Sequence, residues 1–326
     1  MGWKLSQEEF CVLNKYMGSG DFYNTNVLFF GNEEGLGGKE LEANLVARTT
    51  AFGEWDLEGN IVSSLNGRTR EKGYWEPNAA DGGDKVHARL YEQGLVGNPN
   101  RKPFIDGYFL PMAARICLAL ERPKLDPAYW FKPKGEYFEG RVNTIDEYIE
   151  NYLFRKREEG MSTALSDWRP LPRVKENTRP LEYEYIDWKK YIRAFNNPFG
   201  KKDISDSFAS YSGASMERAG MFADMMRVSK IKTVIGFGDI SAKAKMLSKL
   251  YPDIKFGGVN SVSFPSTKTL EGNIELDERD VKVLLLPFPD PRSRTWRNLP
   301  KYERYSTMLS LFAEVMEKKI VPHYQR

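Results

Sequence analysis

Three carboxylates stand at the ends of expected strands. Glu33 closes Val27-Leu28-Phe29-Phe30-Gly31-Asn32-Glu33. Asp167 closes Thr163-Ala164-Leu165-Ser166-Asp167, and Asp290 follows Val283-Leu284-Leu285-Leu286-Pro287-Phe288-Pro289. Bare apolar runs are the pattern of strands buried on both faces. In an open parallel sheet, ligands gather at the carboxyl ends of such strands. A carboxylate held there can position or activate water. Asn32 adds a donor and an acceptor, as needed to read the edge of a heterocycle. Gly31 and Gly35 permit positive φ and a close backbone approach. N–H groups of a loop that leads into a helix can also cradle an anion or a carbonyl oxygen. Pro289 and Pro291 stiffen the last loop and pre-orient Asp290. Beyond it Arg292, Arg294 and Arg297 form a basic cluster with Trp296 among them, the mixture that grips phosphates and stacks on bases. Each string also has a plainer reading: a tight strand-helix turn with solvated carboxylates, a turn-starting Asp, a solvated arginine face.

The elements that must position these residues follow from periodicity. Ser6 and Glu9 fit a capping box that opens a short helix to about Met17. Strands are expected at 27–30, 163–165, 233–237 and 281–286, with an edge strand near Val259. Helices are expected at about 39–49, 109–120, 145–157, 214–227, 241–250 and 302–318. Strands alternating with helices predict a three-layer α/β/α domain with a short parallel sheet and right-handed crossovers. The chain reads as one domain, 1–326, with a helical segment at about 106–160. A polar, Gly-rich excursion at about 53–102 is either a functional lid or a solvated insertion.

Composition narrows the chemistry. Apolar residues at 41% are enough for a core, and a net charge of +3 permits nucleic-acid binding without arguing for it. Two histidines (His87, His323) and two cysteines (Cys11, Cys117) leave no ligand set for a zinc or iron–sulfur centre, so no cofactor is expected. The cysteine count suits a reducing cytoplasm. No apolar run reaches the ~20 residues of a membrane span, so no membrane partner is expected. The Gly-Lys-Ser/Thr ending of a phosphate-binding loop is absent after Gly31, and the glycine spacing does not fit a dinucleotide fingerprint.

Taken in order, these strings resemble the uracil-DNA glycosylase superfamily. Gly31-Asn32-Glu33-Glu34-Gly35 sits where that family's first motif ends its first strand, and Phe288-Pro289-Asp290-Pro291-Arg292-Ser293 is similar to its last motif at both prolines and the final serine. Val234-Ile235-Gly236-Phe237-Gly238-Asp239-Ile240-Ser241-Ala242 looks like its strand-Gly-helix element, and Ala164-Leu165-Ser166-Asp167, followed by Arg169-Pro170, falls near its second-strand motif. The similarity covers roughly 25–55 and 160–318. It implies a monomeric, monofunctional DNA glycosylase that flips a base out of DNA. Glu33, Asn32, Asp167 and Asp290 would carry the reaction. Gly31, Gly35, Phe30, Phe52 and Phe288 would hold the base, with Phe30 or Phe52 stacked on it. Arg292, Ser293, Arg294 and Arg297 would hold the DNA. Two departures shape the expected substrate. Phe288 replaces the family's imidazole, which argues against ordinary uracil excision. Gly35 replaces a tyrosine that walls off pyrimidine C5, which admits a 5-substituted pyrimidine. The alternative is a module on the same fold that binds a modified base or nucleic acid without cleaving it.

Overall fold

The computed structural model describes residues 4–15, 17–20, 22–33, 41, 109–132, 139–154, 157, 159–173, 180–200, 210–259, 268–277 and 279–324. Gly35, Phe52, the excursion at 53–102 and, but for Leu41, the helix expected at 39–49 lie outside these residues.

Seven strands form one mixed sheet. They are β1 (Ser19–Gly20), β2 (Val27–Gly31), β3 (Thr163–Asp167), β4 (Thr233–Phe237), β5 (Gly257–Gly258), β6 (Leu270–Leu276) and β7 (Arg279–Leu286), in the order β1-β3-β2-β4-β7-β6-β5. The inner four, β3-β2-β4-β7, are parallel neighbours: Val27 aligns with Thr163 on one side and Thr233 on the other, and Val234 aligns with Val283. The sequence predicts those four. The outer pairs are antiparallel, so the sheet is mixed rather than parallel throughout.

Side-chain alternation explains the apolar runs 27–30, 234–235 and 283–286. Leu28, Phe30, Val234, Val283 and Leu285 face one core, while Val27, Phe29, Ile235, Phe237, Leu284 and Leu286 face a second. Helices cover both faces. The first core is closed by α1 (Gln7–Lys15), α4 (Trp188–Asn196), α5 (Tyr211–Val228) and α6 (Ile240–Leu250). The second is closed by α2 (Phe109–Glu121), α3 (Glu139–Asn151) and α7 (Arg304–Val315), which runs on through a π-helical turn, Met316–Ile320, into α8 (Val321–Tyr324). The capping box is formed: Glu9 N donates to Ser6 Oγ at 3.1 Å and Ser6 N to Glu9 Oε2 at 2.7 Å.

Four expectations need correction. β6 was not expected, because Gly272 and two glutamates interrupt its apolar pattern. Helix α4 was not expected either, although Asp187 caps it by accepting from Lys190 N at 3.1 Å. Helix α3 begins at Glu139 and ends at Asn151, not at 145 and 157. The chain leaves helical geometry at Phe154, whose φ of 57° is left-handed and whose N–H donates to Thr163 Oγ1. The last helix is α only over Arg304–Val315 before the π turn.

Candidate functional site at the carboxyl edge of the parallel strands

Strand β2 ends at Gly31, directly beside Asp167 at the end of β3. A Cβ on Gly31 would stand 1.8 Å from Asp167 Oδ1. The missing side chain is therefore what lets the Asp167 carboxylate lie across the β2 backbone at the sheet's edge. Two bonds continue the ladder past the strands. Trp168 N donates to Gly31 O at 3.1 Å and Arg169 N to Asn32 O at 2.6 Å. They bring Arg169 up beside Glu33. Beneath them, buried Arg218 donates to Trp168 O (2.7 Å), Asp167 O (2.5 Å) and Asn14 O (2.5 Å), tying the end of β3 to α1.

Glu33 is the centre of an ion-pair cluster. Arg173 donates to its Oε1, and Arg169 Nε lies 3.4 Å from its Oε2. The three side chains are 9%, 4% and 5% exposed respectively for Glu33, Arg173 and Arg169. The Arg169 contact is coulombic rather than a well-aligned hydrogen bond, because neither Oε2 nor Arg169 Nε makes one. Arg169 also reaches Asp239 Oδ2 at 3.8 Å. Arg173 lies over the Trp188 ring at 4.8 Å, a contact that desolvation strengthens. Burial pushes the nearby Tyr191 phenol above its usual range, against the pull of Arg169.

The turn after β4 adds the next group. Gly238 (φ 68°) and Asp239 (φ 39°) are both left-handed, and Asp239 caps α6 without a side-chain hydrogen bond. Lys243, from the first turn of α6, is 2% exposed. Its ammonium donates to Phe237 O at 2.8 Å, to Gly238 O at 2.7 Å and to Asn32 Oδ1. A cation in a first helical turn opposes the macrodipole, and these acceptors offset that. With Oδ1 on Lys243, the Asn32 amide has one orientation. Its Nδ2 lies 3.7 Å from where a Gly238 Cβ would stand, and the Phe288 Cβ lies 3.5 Å from the same point. The loops after β2, β4 and β7 thus meet around Gly238.

No family model, curated protein or solved structure matches this chain. The site must be read from its own geometry.

Asp167, Asn32 and Phe288 gather with Gly31 at this edge. Phe288 is 44% exposed, a ring available to a planar ligand. Other expected residues take different places. Phe30 is fully buried, 4.9 Å from Phe222 and 6.4 Å from Trp168, so an incoming base does not reach it. Glu33 is bound into two ion pairs rather than presented to water. The Asp290 carboxylate turns back on its own loop: Oδ1 accepts from Arg292 N (2.8 Å) and Nε (3.0 Å), and Oδ2 lies 3.0 Å from Nη2. Trp296 is a core residue, 1% exposed, and does not stand among the arginines as a stacking surface. Arg292, Arg294 and Arg297 are exposed, and Ser293 N donates to Asp290 O within the same turn.

The sequence reading did not single out Arg173 or Lys243, and it noted Arg169 and Asp239 only as parts of strings. A signal existed for Lys243, a lone cation one turn into a helix that follows a buried strand. Among the described residues, no group of three or more His, Cys, Asp or Glu is arranged to hold a metal ion. None of the helices described is long and apolar enough to cross a membrane. The arrangement offers a carboxylate at the sheet's edge, an oriented amide and an exposed aromatic ring, which together can meet a planar polar group and direct a water at it.

Proposed function

We propose that the chain hydrolyses the N-glycosidic bond of a modified base, a 5-substituted pyrimidine by class, flipped out of DNA. One observation carries this reading. The Asp167 carboxylate lies over Gly31, and the next residue, Asn32, has its amide oxygen occupied by Lys243. The strings that resemble the uracil-DNA glycosylase superfamily support it. The base packs against Phe288, and Asn32 Nδ2 donates to a ring carbonyl. Asp167 orients the water that attacks C1′ and takes up its proton, and its charge stabilises the oxocarbenium-like centre as the C1′–N bond breaks. The base leaves with the bonding pair, the charge on its oxygen falling on the Asn32 donor. Glu33 acts through others: it fixes Arg169 and Arg173 and, with them, the end of β3. Arg292, Arg294 and Arg297 take the flanking phosphates, which makes binding salt-dependent.

A second reading is a module that binds a modified base without cleaving it. Phe288 favours it, because a phenyl ring gives no hydrogen bond to a departing oxyanion and one such donor is worth ~2.7–4 kcal/mol. Incubation with duplexes carrying uracil, thymine, 5-hydroxymethyl and glycosylated pyrimidines, scored for abasic sites, separates the two. The expected result is abasic sites at a bulky pyrimidine, with Asp167→Asn slower by ~10²-fold or more while binding is kept. Binding without abasic sites selects the second reading. Binding to none of the duplexes removes both.

A further inference from the structure

A cavity of about 530 Å³ opens on the antiparallel flank of the sheet, away from the carboxyl-edge cluster. Glu271 and Asn273 of β6 and Lys282 of β7 share one sheet face here, since Asn273 aligns with Lys282 and Glu271 with Leu284. The π turn supplies Lys318 and Lys319, and Lys255 adds a fourth ammonium. Glu271 is the sole carboxylate in this lining. It is shared by Lys282 (2.9 Å) and Lys319 (2.7 Å). Lys318 reaches Glu314 at 2.7 Å in an exposed i,i+4 pair, which is weak. Four lysines against one glutamate leave the lining at +3 with His323 neutral. Charges of one sign around a concavity focus the field and draw counter-ions in.

The helix geometry strengthens the case. Neighbouring residues on an α-helix point about 100° apart, yet Lys318 and Lys319 both line this cavity. They do so from a π turn, a rare element that is frequent at functional sites. Gly257 lines the cavity too, and a Cβ there would meet nothing within 4 Å, so packing does not demand a glycine. No aromatic ring other than His323 is in the lining, which leaves no broad platform for a nucleobase. The donors are compact ammonium groups, which bind phosphate as point charges.

We propose that this flank binds closely spaced phosphate groups, held by Lys255, Lys282, Lys318 and Lys319, with Glu271 spacing two of the lysines. The phosphates come either from a free oligophosphate or from a nucleic-acid backbone. The probe is inorganic pyrophosphate, titrated calorimetrically into the full chain at constant ionic strength. Saturable binding is expected. Lys255→Ala and Lys318→Ala, both at exposed positions, should each weaken it about tenfold, the effect of one charge-assisted contact, without lowering the thermal midpoint. Absence of saturable heat overturns the proposal, as does wild-type affinity in both variants or the same heat from chloride at matched ionic strength. Displacement of pyrophosphate by an unmodified duplex assigns the phosphates to the backbone, and failure to displace it assigns them to a free anion. No modified base enters this assay, so its outcome is independent of base excision.

Discussion

Among the described residues one carboxylate sits between two cations twice, and the two copies differ in depth and in cation. Glu33 sits between Arg169 and Arg173 with side chains 4–9% exposed, whereas Glu271 sits between Lys282 and Lys319 with side chains 17–33% exposed. The first is dry and built from planar guanidinium groups, one of them over an indole. The second is wet and built from flexible ammonium groups. Charges taken out of water depend on their partners, because an orphaned one is costly. Charges left in water gain little from pairing, because solvent and salt screen them. The same motif therefore acts as a fastening at the carboxyl edge and as an exchangeable lining on the flank.

The sharpest way to break this contrast is to remove one cation from the buried copy. Arg173→Ala leaves Glu33, among the described residues, with only the misaligned Arg169 and should lower the unfolding free energy by ~3–5 kcal/mol, read from urea midpoints. A loss below about 1 kcal/mol would mean that depth does not separate the two sites.

A smaller effect is expected at the edge of that cluster. Gly31→Ala drives a methyl into Asp167 Oδ1 and should cost ~1–3 kcal/mol, as overpacking does. Adding Asp167→Ala removes the obstacle, so the double variant should be less destabilised than the sum of the singles. Additive losses in that cycle would show that the glycine serves another purpose.

The smallest effect belongs to the flank. Glu271→Gln should change stability by less than ~1 kcal/mol near neutral pH. Its pH dependence carries a sign. Burial raises the Glu271 carboxyl, but hydrogen bonds from Lys319 and Lys282 and the charges of both outweigh it, so the group lies below its ordinary value of 4.5. A depressed folded value means the contribution is present above the ordinary range and fades as pH falls through the folded value. The difference between wild type and Glu271→Gln should accordingly be flat from neutral pH to about 5 and shrink in acid. A difference that grows in acid would reverse the assignment.

How much of this was legible in the sequence varies with the range of the cause. Strands β2, β4 and β7 were legible because burial on both faces leaves an apolar run that local chemistry ends, as Gly31 and Pro287 do. Strand β6 has one buried face and a central glycine, so its pattern is no stronger than that of a loop. Gly31 and Asn32 were legible as strand-end residues. Asp167 was legible as a strand-end carboxylate beside them, but Lys243 was not, since it reaches Asn32 from a distant part of the chain. Phe30 and Trp296 show the limit from the other side. An aromatic residue type fits a core and a stacking platform alike, and only the packing decides.

The strand order also bears on how fast the protein can form. Strand β2 is central, yet both of its partners, β3 and β4, lie more than ~100 residues downstream, so its first contacts close very long loops before any ladder rewards them. Local helices such as α5 can form early, but the inner sheet must wait for β7, which lies downstream of the other three inner strands. On a ribosome the edge carrying Gly31 and Asn32 is thus left open until β7 and the loop that follows it arrive.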